Sequence, residues 1–203
     1  MNFKIYDIIS LLIPGYLLLY IIVNSSNIPA NNDSIIFSTA IAFVLGFIIS
    51  TLSSWLEIFY YFTWGGKPSD KILNGKNVWK VKFYKSKEAK ELLLKETSNE
   101  SPSNDELFTI ALSYINEKDS RVENLSAYYS FSRSLLTTMI ISLIVLIATN
   151  NLNQIYFFIL FPLLIIIWLR SKQRGYYYAR EVLKIYLQQK NKIKPPHQLD
   201  QTS

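Results

Sequence analysis

Residues 35–56 read IIFSTAIAFVLGFIISTLSSWL, and no Asp, Glu, Lys or Arg interrupts them. A helix needs about 20 such residues to cross a hydrocarbon core of about 30 Å. Three other runs are equally free of charge: 8–23 (IISLLIPGYLLLYIIV), 134–149 (SLLTTMIISLIVLIAT) and 154–169 (QIYFFILFPLLIIIWL). Outside the runs, charge is distributed unevenly. The links Asn24 to Ser34 and Asn150 to Asn153 hold no Lys or Arg, so all 21 basic residues fall on one side of four successive crossings. Short basic flanks stay in the cytoplasm during insertion, which orients the chain.

The expected fold is therefore an all-α membrane protein. It has four transmembrane helices, a small, mainly helical cytoplasmic insert between spans 2 and 3, and a cytoplasmic C-terminal helix. Residues 1–64 form one transmembrane hairpin, with spans at about 6–24 and 35–56, and 65–131 form the insert. Residues 132–170 form the second hairpin, with spans at about 133–149 and 154–170, and 171–203 form a basic helix and tail. Both termini are expected in the cytoplasm of a bacterial inner membrane. Pro14-Gly15 breaks the first run, which reads as a retained, kinked helix rather than a cleaved signal peptide.

Composition excludes several chemistries. There is no cysteine, hence no thiolate nucleophile and no Cys-ligated zinc. The single histidine, His197, lies in a Pro-rich polar tail, poorly placed for a triad or a metal. No carboxylate falls inside a run, where a proton-coupled carrier would need one. No enzyme activity, cofactor, metal or catalytic residue is expected. The segment Thr63 to Arg133 holds 12 basic and 10 acidic residues, while the segment from Arg170 holds 8 basic and 2 acidic. The excess positive charge thus follows the last span, suited to anionic lipid headgroups. Nucleic acid is not an expected partner.

Within the second run, Ser38, Ala42, Gly46, Ser50 and Ser54 recur every four residues. Small residues on one helix face let backbones approach closely, and serine hydroxyls can bond across the contact. This predicts a helix-packing seam against another span of the chain or against a second copy. The same hydroxyls, with Thr51, Ser53, Thr137 and Thr138, are candidates for a pore wall between subunits. At the inner edge, Glu57 faces a possible partner in Arg133, and Arg121 is placed to couple the insert to the spans. These three residues are the candidate charge-coupling site.

In the insert, WKVKFYK at 79–85 alternates apolar and polar residues, as a half-exposed strand or an interfacial segment does. Ser86 reads as the cap of a helix reaching Lys95. Ser103 and Glu106 form a capping-box pattern ahead of a second helix, expected to pack on Leu92–Leu94. From Asp119 the pattern is helical without a breaker into the third span. After Arg170 it stays helical, interrupted at most by Gly175.

Two stretches, RVENLSAYYSFSRSL (Arg121 to Leu135) and DIISLLIPGYLLL (Asp7 to Leu19), resemble segments of small uncharacterised bacterial membrane proteins with four spans and a cytoplasmic insert. In architecture the chain also resembles the compact membrane subunits of bacterial anti-phage systems, such as the four-span subunit of Kiwa. The resemblance implies a role in antiviral defence or stress. The leading expectation is an inner-membrane sensor or effector, homo-oligomeric, that meets a cytoplasmic protein partner and alters permeability. One alternative is a passive anchor for a soluble partner. Another is a small transporter or inner-leaflet lipid enzyme.

Overall fold

A computed structural model describes residues 5–25, 35–76, 81–115, 120–151 and 154–193. Trp79 and Lys80 of the alternating segment, most of the 24–34 link, the Asp119 helix start and the tail with His197 lie outside them. The described residues form eight α-helices and no β-strand. They are α1 (Ile5–Ser25), α2 (Ile35–Trp55), α3 (Glu57–Trp64), α4 (Pro68–Leu73), α5 (Ser86–Leu94), α6 (Asn104–Ser113), α7 (Ser120–Ala148) and α8 (Gln154–Ile193). Three are long and apolar enough to cross a membrane: α1 from Tyr6, α2, and α7.

The long helices build an apolar bundle in which α1 packs on α2 and α7, α2 on α7, and α7 along α8. Small and hydroxyl residues are prominent in its interior: Ala42, Gly46, Ser53, Ser134, Thr137, Thr138 and Ser142 are buried alongside Leu18, Ile49, Leu136 and Leu146. Its surface is made of large apolar ones, with Ile36 81%, Phe47 62%, Ile144 59% and Ile166 61% exposed. Water would penalise that inversion, because so broad an apolar surface would stay wet. Lipid does not penalise it, and close helix contact through small residues is then what holds the bundle together. The fold is accordingly that of a membrane protein.

Backbone contact between α1 and α2 depends on two glycines. A Cβ on Gly15 would lie 1.7 Å from the Ala42 carbonyl oxygen, and one on Gly46 would lie 2.0 Å from that of Leu11. Pro14 sits inside α1 without ending it. At one end of the bundle the Asn151 amide donates to the Ser25 carbonyl at 2.7 Å. Toward the other, the Tyr6 ring meets Tyr128 edge-on at 5.1 Å. So α1 and α7 run parallel.

The polar part is a headpiece of α4, α5 and α6 packed on the C-terminal half of α8. One core joins them: Leu73, Leu93, Leu107 and Ala111 bury against Tyr176, Val182, Leu183 and Tyr186. Pro68 opens α4, where its missing N–H costs nothing. The capping box at Ser103 has both arms, with the Glu106 N–H donating to Ser103 Oγ at 3.2 Å and the Ser103 N–H to Glu106 Oε2 at 2.8 Å. Ser86 is not a cap: α5 starts at Ser86, whose hydroxyl donates to the Phe83 carbonyl. The alternation in 81–85 is real, with Val81 buried and Lys82 and Tyr84 exposed, but no strand forms there. Both α7 and α8 run unbroken from bundle to headpiece, and α8 continues through Gly175, which is buried against Pro68 and Tyr129.

Candidate functional site

Where bundle meets headpiece, a polar cluster is assembled from α3 and α7. The joint between α2 and α3 is nearly helical: the Leu56 N–H donates to Leu52 and its carbonyl accepts from Tyr60. Glu57 therefore leaves the end of α2 on a defined face. Two glycines end α3, with φ of 77° at Gly65 and 127° at Gly66, and their N–H groups close on the Phe62 and Tyr61 carbonyls.

Glu57 Oε1 receives three donors. Arg133 Nη1 lies at 2.5 Å, the Tyr129 hydroxyl donates at 3.3 Å, and the Tyr61 hydroxyl donates in a short bond. The Arg133 guanidinium also lies 4.6 Å from the centre of the Tyr129 ring. The Arg133 side chain is 11% exposed and that of Glu57 30%, so the pair is only partly screened by solvent. Arg133 Nε is buried without a hydrogen-bond partner. Burial, reinforced by Tyr129 and the Glu57 carboxylate, pushes the Tyr61 hydroxyl well above the usual tyrosine value, so it stays a donor at any physiological pH.

Further bonds fix α3 from both sides. The Tyr60 hydroxyl bonds Thr137 Oγ1 at 2.7 Å, and the Trp168 indole donates to Thr63 Oγ1 at 3.0 Å. A cavity of about 360 Å³ opens beside the cluster, lined by Glu57, Tyr61, Tyr129, Tyr178 and Gly175. Lys67 and Asp105, paired at 2.7 Å, close its rim between α4 and α6. The arrangement holds charge and hydrogen bonds in fixed geometry. The described residues contain no cluster of three or more His, Cys, Asp or Glu side chains placed to hold a metal.

The structure brings Glu57 and Arg133 together. It does not bring Arg121 to them: Arg121 lies further toward the headpiece and pairs with the buried Glu181 of α8 at 3.1 Å. Of the seam residues, Ala42 and Gly46 are buried in the contact with α1, Ser38 and Ser50 are half-buried, and Ser54 is exposed. The reading of one face for all five is corrected by helix geometry. Steps of four overshoot a 3.6-residue turn by about 40°, so by Ser54 the stripe has swung about 160° from Ser38. The buried face is Ala42, Gly46, Ile49, Ser53, which alternates steps of four and three. Ser53, Thr137 and Thr138, read as pore candidates, are buried within the chain. Tyr61 and Tyr129 were missed, yet each stands four residues from a predicted charge, Glu57 or Arg133, on the same helix face. No family model, curated protein or solved structure matches the chain.

Proposed function

We propose that the chain is a four-span protein of the bacterial inner membrane that acts as a sensor or effector. Its cytoplasmic headpiece meets a soluble partner or ligand, and its spans respond. The observation that carries this reading is mechanical. Both α7 and α8 are continuous from bundle to headpiece, and at the junction the Glu57–Arg133 cluster clamps α3 to α7 while the Trp168–Thr63 bond ties it to α8. A displacement of the headpiece is thereby transmitted to the bundle by rigid elements instead of being absorbed by a linker.

A permeability change would require a second copy, because Ser53, Thr137 and Thr138 of one copy are buried in its own packing. The exposed faces of α2 and α8 are apolar and available for that association. The resemblance noted above supports a setting in defence or stress. The test is membrane potential after induction in cells, for wild type, Glu57→Arg, Arg133→Glu and the double swap. Depolarisation by wild type, its loss in each single reversal and its return in the swap are expected. Correctly inserted wild type that leaves the potential unchanged would reduce the chain to a passive anchor.

A further inference from the structure

A second cavity, of about 520 Å³, lies where residues 82–85 meet α8. Lys82, Lys85, Arg180 and Lys184 line it together with Tyr84 and Leu187, and no carboxylate does. Two carboxylates touch its cations. Glu88 lies 3.6 Å from Lys85, and Glu181 lies 3.5 Å from Lys184 but is shared with Arg121 at 3.1 Å. Among the described residues, Lys82 and Arg180 form no ion pair, and Arg180 stacks on Tyr177 at 5.0 Å. Cations gathered with so little compensation repel one another, and an entering anion relieves that repulsion. The apolar part of the wall is equally distinct. Leu187 forms a buried floor and Tyr84, 82% exposed, stands at the edge as a stacking surface.

Position favours a soluble anion over a lipid headgroup, an argument that rests on the four-span reading. At about 1.5 Å per residue, Arg180 lies about 15 Å and Lys184 about 21 Å beyond Arg170 along α8. An average tilt of about 20° shortens these distances by only about 1 Å. The headgroup layer extends about 6 Å beyond the hydrocarbon on each side, and the screening length is about 8 Å at physiological salt. The cavity volume suits a small organic ligand. We infer that this groove binds a small soluble phosphate-bearing anion with a flat apolar body, of the nucleotide class.

The test is calorimetric titration of the full chain with ATP, inorganic triphosphate and adenosine, in nanodiscs of neutral or anionic lipid. Saturable ATP binding is expected, with triphosphate weaker and adenosine silent. Arg180→Gln/Lys184→Gln weakens ATP at least tenfold without lowering the melting temperature, and Lys82→Gln/Lys85→Gln does the same from the other wall. Absence of ATP binding, adenosine binding as well as ATP, or indifference to both double variants would overturn the proposal. So would ATP binding that anionic discs suppress tenfold, because the groove would then belong to lipid headgroups. The titration does not read membrane potential, so its failure leaves the sensor reading standing, and a failed depolarisation test leaves a bound ATP signal in place.

Discussion

Glu57 holds three donors on one oxygen, and this asymmetry determines what its replacement costs. Arg133→Leu leaves the carboxylate facing two phenols with no cation and should cost about 3 kcal/mol, as breaking a buried pair does. Reversing both charges keeps the pair but loses the Tyr129 cation–π contact, so the swap should recover most, not all, of the loss in thermal unfolding in detergent. Equal instability of the swap and the single variants would remove the pair from the account. A second charged contact yields a pH prediction. Burial pushes the Glu96 carboxyl up, but hydrogen bonds from Lys190 at 2.8 Å and Tyr186 at 2.6 Å outweigh it and hold the group below its ordinary 4.5. A lowered carboxyl stabilises the fold above its unfolded pKa, and that stability is lost as pH falls through the folded value. Melting temperature should therefore drop below about pH 4.5 in wild type, and Glu96→Gln should flatten that drop while melting lower at neutral pH; parallel profiles would count against the contact. At this scale sequence reading was partial. A Glu and an Arg at the same depth could be paired from topology, but the Arg121–Glu181 contact could not. It depends on how α7 and α8 rotate against each other, which hydropathy does not encode.

Elements were more legible than contacts. Runs without charge located α1 and α2 nearly to the residue, and the capping box at Ser103 located the start of α6. The alternation at 81–85 did not separate a strand from an interfacial segment, because burial of Val81 needs only a surface to lie on, here the core of α5, α6 and α8. The seam shows the same limit. Small residues every four positions announced a close helix contact, but only the observed crossing shows that it uses Gly15 of α1 and leaves Ser54 outside. This gives a paired prediction. Gly46→Leu forces α1 and α2 apart, because its Cβ meets backbone that no rotamer can move, and should cost at least about 1–3 kcal/mol. Ser54→Leu meets no such wall and should leave stability within about 0.5 kcal/mol. Gly15→Ala should behave like Gly46→Leu. If Ser54→Leu proved as harmful as Gly46→Leu in detergent unfolding, the seam would lie between copies along the whole stripe.

For the whole molecule, the core that joins α4, α5 and α6 to α8 constrains topology more tightly than hydropathy does. Leu73, Leu93 and Leu107 precede α7, while Tyr176, Val182 and Tyr186 follow it by one more helix, and all are buried in one cluster. On the four-span reading they share a side of the membrane. The Asn151–Ser25 bond puts the end of α7 beside the end of α1, at the far end of the bundle from that cluster. On the proposed four-span reading, a chain that leaves the headpiece through α7 and returns to it in α8 crosses again between Thr149 and Ser171, where residues 149–169 contain no Asp, Glu, Lys or Arg. Absence of native cysteine makes this directly measurable. In intact cells a membrane-impermeant maleimide should label Thr149→Cys at once, and should label Ser101→Cys and Asn191→Cys only after lysis. A three-span chain would expose Asn191→Cys to the outside and would strand the α8 half of the core away from α4, α5 and α6. Labelling at position 191 in intact cells would therefore break both the topology and the shared core, and with them the rigid path by which a groove on α8 could act on the bundle.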